Sequence, residues 1–70
     1  MSRDPRVDPR PGDVLTKNSL SRRVVRTYAG NIYWRRDGAE SAIRCAWIST
    51  WMEWARTATI LHTAEVPDAE

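Results

Sequence analysis

The fold depends on residues 22–45, which read RRVVRTYAGNIYWRRDGAESAIRC. Within this segment, the dipeptides Gly30-Asn31 and Asp37-Gly38 are typical of two-residue β-hairpin loops, in which at least one residue takes a positive φ. The residues on either side of each dipeptide include many β-branched and aromatic side chains, which favour strands. We therefore predict an antiparallel meander of three strands at residues 22–29, 32–36 and 39–46.

The two loops determine which residues lie opposite one another across the strands. The first loop pairs Arg26 with Arg35, and the second pairs Ile32 with Ile43. Opposed residues share a face of the sheet, whereas neighbours along a strand alternate between faces. The predicted core face carries Val25, Thr27, Ala29, Ile32, Trp34, Ser41, Ile43 and Cys45. The predicted solvent-exposed face carries Arg26, Tyr28, Tyr33, Arg35, Glu40, Ala42 and Arg44, with Val24 near its edge.

The predicted exposed face combines arginine with tyrosine. Arg26 opposite Arg35 is a like-charge pair, which costs stability, and Glu40 on the other side of Arg35 offsets part of that cost. Tyrosine rings stack on bases while arginines bind phosphate groups, so the pattern indicates a binding surface. The alternative is a solvated sheet face on which these side chains only stabilise the fold. The predicted binding residues for nucleic acid or another partner are Arg23, Arg26, Tyr28, Tyr33, Arg35, Arg44 and Trp54.

The segment before the meander is rich in proline. Pro5, Pro9 and Pro11 disfavour helix and strand pairing alike, so residues 1–12 are predicted to form an extended or disordered arm. Gly12, between a proline and an aspartate, marks a turn that leads into a short first strand at residues 14–16.

After the meander the apolar residues take the spacing of a helix. Trp47, Trp51 and Trp54 lie at i, i+4 and i+7, which is typical of an amphipathic helix. Thr50 and Glu53 have the spacing of a capping box, so the helix is predicted at residues 51–56. A last strand is predicted to follow at residues 57–61. The acidic residues 63–70 are expected to fray, which leaves a single domain at residues 13–62.

This order of elements predicts a mainly β protein, a small SH3-like five-stranded antiparallel barrel with one short helix before the last strand. The segment PRPGDVL at residues 9–15, with Cys45, Trp51, Trp54 and Ala55 further along, resembles short uncharacterised proteins of phages and proteobacteria. The resemblance extends over roughly residues 9–61. It implies a phage or mobile-element origin and carries no activity with it.

The composition leaves large apolar side chains as the main source of stability. A chain of 70 residues buries only ~60% of its extended surface, and with one Cys and one His it has neither a disulfide framework nor a metal-ligand cluster. Trp34, Trp47 and Trp51 are therefore expected to fill the core. Trp54 is the tryptophan that we expect to be exposed, as a docking anchor.

Catalysis has little support in the sequence. Cys45 is predicted on the core face, where a thiol is inert, and His62 has no partner at triad or ligand spacing. We therefore expect no enzyme activity, no cofactor and no metal. The chain has a charged N-terminus and no run of about 20 apolar residues. A soluble cytoplasmic location is the expectation, in the host cytoplasm if the protein is encoded by a phage.

The charge distribution favours a polyanionic partner. Residues 14–56 hold eight basic and three acidic side chains, a net charge of +5, and the whole chain has ten Arg against one Lys. Arginine suits bidentate contacts with phosphates and stacking on bases, although a GC-rich genome would also enrich it. Our first hypothesis is a non-enzymatic binding module for nucleic acid. The second is a phage-encoded inhibitor or adaptor, of anti-defence type, that docks on a host protein complex, and the third is a homodimeric structural module.

Overall fold

A computed structural model describes residues 3–38 and 41–64 of the chain. The elements are β1 (Val14–Lys17), β2 (Leu20–Tyr28), β3 (Asn31–Arg36), β4 (Arg44–Trp47), α1 (Ile48–Ala55) and β5 (Thr59–His62). No helix in the described part of the chain is long and apolar enough to cross a membrane.

The five strands form one antiparallel sheet in the order β4-β3-β2-β1-β5. The helix α1 connects the edge strand β4 to β5 at the opposite edge. These observations confirm the predicted mainly β architecture, with one short helix before the last strand. The two edge strands are not paired with each other within the described residues, so closure into a barrel stays a prediction.

The first hairpin turns one residue earlier than predicted. Its loop is Ala29-Gly30, with φ values of 51° and 83°, and Tyr28 pairs with Asn31. Two positive φ values match the loop type whose twist suits a hairpin, and Gly30 supplies the second at no steric cost. The predicted pairing of Arg26 with Arg35 was therefore wrong, since Arg26 lies opposite Tyr33.

A β-bulge in β2 changes the faces of the residues that precede it. The register shifts between Val24 and Arg26, so that Val24 lies opposite Trp34. A bulge adds one residue to one strand and so interrupts the alternation of faces. Val24, predicted near the edge of the exposed face, consequently points into the core and is 1% exposed. Arg23 lies opposite Arg35, and Arg22 lies opposite Arg36.

The register of β4 departs furthest from the prediction. Ile32 pairs with Ala46 instead of Ile43, a displacement of three residues, and an odd displacement exchanges the two faces of a strand. Cys45 and Ile43, predicted in the core, are exposed as a result. The physical reason is the connection after β3, which continues to residue 43 instead of closing at Asp37-Gly38. The predicted pairing of Glu40 lies outside the described residues.

The core lies between the sheet and α1. Trp51 and Ala55, four residues apart on the helix, have no exposed surface, which confirms the prediction for Trp51. The helix begins at Ile48 with Trp47 as its N-cap, three residues before the predicted start at the capping box. Trp47 is 59% exposed, so its predicted core position was wrong. The buried cluster consists of Leu15, Val24, Ile32, Trp51, Ala55 and Ala58, and Trp34, Ile48, Trp54 and Ile60 pack against it.

The segment expected to be an extended or disordered arm is folded against the helix and the sheet. Pro5 is fully buried, and its carbonyl accepts a hydrogen bond of 3.2 Å from the indole Nε1 of Trp51. Asp13 is also fully buried; its carboxylate accepts hydrogen bonds from the guanidinium of Arg3 and from the backbone N–H of Ala64. These contacts attach both ends of the described chain to the start of β1.

Candidate nucleic-acid interface

The sheet face turned away from α1 carries the side chains of most interest, arranged in cross-strand rows. One row consists of Tyr28, Asn31 and Trp47, and the next consists of Arg26, Tyr33 and Cys45. Arg23 and Arg35 form the third. Rows that are two residues apart along a strand are separated by about 6.6 Å. We call Arg23, Arg26, Tyr28, Tyr33, Arg35 and Trp47 the Arg/Tyr face.

The centre of the Arg/Tyr face is an arginine between two tyrosines. The guanidinium carbon of Arg26 lies 5.0 Å from the ring centroid of Tyr33 and 5.6 Å from that of Tyr28, within the range of cation–π attraction. Tyr28 is 65% exposed, and Tyr33 is half-buried. The arrangement keeps an aromatic ring and a positive charge side by side at the surface.

Trp47 belongs to this face, although its spacing predicted a core residue. It is 59% exposed, and its ring lies across the backbone of Gly30: a Cβ on Gly30 would be 2.5 Å from the Trp47 ring atom Cζ3. The backbone also joins these two positions, because the N–H of Ile48 donates to the Gly30 carbonyl at 2.8 Å. Because Gly30 has no side chain, the Trp47 ring packs against its backbone, in the same row as Tyr28 and Asn31.

The charged end of the face is only partly neutralised. Arg23 lies directly opposite Arg35, a like-charge pairing that costs stability. Asp37 Oδ1 accepts a hydrogen bond from Arg23 Nε at 3.0 Å and forms an ion pair with Arg23 Nη2 at 2.9 Å. Arg35 has a buried Nε with no hydrogen-bond partner in the described residues. An anion on this part of the sheet would offset the repulsion between the two guanidinium groups.

Two predicted binding residues lie elsewhere. Arg44 pairs with Trp34 on the opposite side of the sheet, because the displacement of β4 exchanges its faces. Trp54 is half-buried against the core, where its ring centroid is 5.5 Å from that of Trp51. Lys17 donates to its carbonyl at 3.2 Å. The expectation that Trp54 is an exposed docking anchor was therefore wrong, and Trp47 is the exposed tryptophan on the sheet.

Cys45 is exposed on the Arg/Tyr side of the sheet, opposite Tyr33 on the edge strand β4, instead of in the core. Its thiol donates to the Asn31 side-chain oxygen at 3.5 Å. No group of three or more His, Cys, Asp or Glu side chains in the described residues is arranged to hold a metal ion.

The sequence contains one signal for the arginines that the predicted register did not place on the exposed face. β2 contains the doublet Arg22-Arg23, and β3 contains the doublet Arg35-Arg36. Neighbours along a strand point to opposite faces, so two adjacent doublets put a pair of arginines on each side of the sheet. The exposed position of Trp47 had no comparable signal, because it depends on where the long connection before β4 ends.

Comparison with protein-family models, with curated proteins and with solved structures finds no match to this chain.

Proposed function

We propose that the protein is a non-enzymatic binding module that engages single-stranded nucleic acid through the Arg/Tyr face. The observation that carries the proposal is the row of exposed aromatic rings, Tyr28 at 65% and Trp47 at 59% exposure, next to the guanidinium group of Arg26. Proteins that bind single strands without sequence preference stack the bases on such rings and contact the phosphate backbone with positively charged side chains.

A single strand fits this surface better than a duplex. Tyr28 and Trp47 offer flat rings at the ends of one row, and a base presents its flat surface to them only when it is unpaired. Stacking of this kind contributes about 1–3 kcal/mol per base. The arginines supply phosphate contacts, which position the strand without reading its sequence. We therefore expect weak discrimination between base sequences and a clear preference for single strands over duplex.

Fluorescence anisotropy with a labelled oligothymidylate of about ten nucleotides tests the aromatic part of the proposal. Tyr28→Ala combined with Trp47→Ala should weaken binding by about tenfold or more, since two stacking contacts are lost. The matched control is Leu61→Ala, which removes an apolar side chain of similar exposure, 56%, from β5. Equal affinity of the wild type and the double variant would contradict the proposal.

The charged part is tested with the same probe. Compared with the wild type, Arg26→Gln combined with Arg35→Gln should bind the oligothymidylate more weakly at low salt. Arg56→Gln, which removes an exposed arginine next to α1, should bind it as the wild type does. Arg26 is exposed, and the buried Nε of Arg35 has no hydrogen-bond partner among the described residues. The double substitution should therefore leave the fold intact, as far-ultraviolet circular dichroism would report. A matching loss in the Arg56 variant would mean that only the net charge matters.

A second candidate function rests on the same exposed rings. Tryptophan and tyrosine are enriched at protein interface hot spots, so the Arg/Tyr face also suits docking of an acidic protein surface. This is the role expected of a phage-encoded inhibitor or adaptor that acts on a host complex. Pull-down from lysate before and after nuclease treatment separates the two candidates. A stoichiometric protein that survives nuclease treatment and is lost with the Trp47 variant would favour the inhibitor.

A further inference from the structure

A second basic site lies on the other side of the sheet, outside the Arg/Tyr face. The start of β2, the end of β3 and the segment before β4 form a cleft that is lined in part by Trp34. We call this the arginine cleft. Its lining includes Leu20, Arg22, Trp34, Arg36, Ala42 and Arg44. None of the described residues that line the cleft is acidic.

Arg22 is held in place by two indole rings. Its guanidinium carbon lies 3.9 Å from the ring centroid of Trp34 and 4.0 Å from that of Trp54. A planar guanidinium that is stacked on both faces can donate only from its in-plane N–H groups, which suit bidentate contacts with an oxyanion. Burial lowers the pKa of Arg22, and the nearby positive charge of Arg44 lowers the pKa further. Both effects make an anion at this position favourable.

The charges around Trp34 repel one another in the absence of an anion. Arg22 lies directly opposite Arg36, and Arg44 lies opposite Trp34 on the neighbouring strand. Like charges opposed across strands are destabilising. Among the described residues, the acidic side chain closest in sequence to these arginines is Asp37. Its carboxylate is already bound by Arg23 on the far side of the sheet.

We propose that the arginine cleft binds a phosphomonoester group. A phosphomonoester carries a charge of about −1.5 to −2 at neutral pH and three acceptor oxygens. This matches a cleft lined by three arginines, Arg22, Arg36 and Arg44, better than the single charge of a carboxylate or a phosphodiester does. Leu20 and Ala42, which also line the cleft, offer apolar surface to the group that bears the phosphate. The site is independent of the Arg/Tyr face, because the two lie on opposite sides of the sheet.

Isothermal titration calorimetry with thymidine 5′-monophosphate and thymidine tests this proposal without a nucleic-acid strand. The monophosphate should bind about tenfold more tightly than the nucleoside, the effect of at least one charge-assisted contact. Arg36→Gln combined with Arg44→Gln should remove that difference and still fold, because neither residue belongs to the buried core. The control is Arg26→Gln combined with Arg35→Gln on the Arg/Tyr face, which should keep it. Inorganic phosphate should displace the monophosphate from the wild type.

Further probes identify the source of the phosphate. The gain in affinity that a 5′-phosphate gives an oligothymidylate is measured against the unphosphorylated strand, so that the Arg/Tyr face contributes equally to both. A gain larger than that of thymidine 5′-monophosphate over thymidine would identify a strand end as the ligand, whereas an equal or smaller gain would identify a free nucleotide or phosphate. Equal affinities for monophosphate and nucleoside, or a difference that persists in the Arg36/Arg44 variant, would overturn the proposal. The Tyr28/Trp47 variant should still bind the monophosphate, so failure of one site is distinguishable from failure of the other.

Discussion

At the scale of the residue, Asp13 is the one charged residue that is buried among the described residues. It is fully buried, yet its pKa is below the ordinary value of 3.8. Burial by itself would raise the pKa of this carboxyl group, but hydrogen bonds from Arg3, from the N–H of Ala64 and from the N–H of Arg10 outweigh it. The carboxylate therefore joins the N-terminal segment, the start of β1 and the end of the described chain.

The lowered pKa of Asp13 predicts loss of stability in acid. Folding favours the ionised carboxylate, so its stabilisation is complete above the ordinary pKa and is lost as the pH falls through the lower pKa of the folded state. Asp13→Asn should cost about 3 kcal/mol at neutral pH, because it leaves Arg3 without its buried partner. The difference in unfolding free energy between wild type and Asp13→Asn, measured by urea titration, should shrink below about pH 4.

Asp8→Asn is the control for that experiment, because Asp8 pairs with Arg10 at the surface, where an ion pair contributes little. A constant difference between the wild type and Asp13→Asn from pH 7 to pH 2 would show that Asp13 does not titrate as described.

Gly30 offers a second test at this scale, and Gly38 is its matched control. Both glycines have positive φ, 83° and 81°, so alanine at either position should cost about 1–2 kcal/mol of unfolding free energy. Only at Gly30 would the new Cβ meet the ring of Trp47; at Gly38 none of the described residues has an atom within 4 Å of the corresponding position. Gly30→Ala should therefore also shift the tryptophan fluorescence and weaken oligonucleotide binding, whereas Gly38→Ala should do neither.

At the scale of the element, the order of strands and helix was predicted from the sequence, but the pairing registers of the strands were not. Between the bulge and the hairpin loop, each residue of β2 is displaced by two residues along β3 from its predicted partner. Arg26, for example, lies opposite Tyr33 instead of Arg35. An even displacement preserves the faces, so Arg26, Tyr28, Tyr33 and Arg35 share a surface as predicted. β4 is displaced by three, an odd number, and its faces are exchanged. Hairpin signals at Asp37-Gly38 contain no information on where a long connection ends.

The N-terminal segment provides the element-scale prediction. The proline content predicted an extended or disordered arm, yet Pro5 and Pro9 are buried and Trp51 donates to the Pro5 carbonyl. Deletion of residues 1–8 would expose Trp51 and remove Arg3 from Asp13. We expect a fall in Tm of about 10 °C or more in thermal denaturation, on the scale of 4–8 °C for each kcal/mol in a domain of this size. An unchanged Tm would mean that these contacts contribute no net stability.

At the scale of the whole molecule, the sheet separates two basic surfaces. Each arginine doublet, at the start of β2 and at the end of β3, has one side chain on each side of the sheet. Arg23 and Arg35 therefore lie on the Arg/Tyr face, and Arg22 and Arg36 lie in the arginine cleft. Each surface also has tryptophan, Trp47 on one side and Trp34 on the other. Two sites on opposite sides of a sheet share no partners, so substitutions in them should act independently.

The dependence of binding on salt measures this separation directly. Three arginines on the Arg/Tyr face should give a slope of about −2 in a plot of log K against log salt concentration for an unphosphorylated single strand. Arg26→Gln combined with Arg35→Gln leaves one contact and should reduce the slope to about −0.7. Arg36→Gln combined with Arg44→Gln removes the same charge from the arginine cleft and should leave the slope near −2. If both double variants reduce it equally, the strand senses the total charge of the protein and the Arg/Tyr face is not its binding surface.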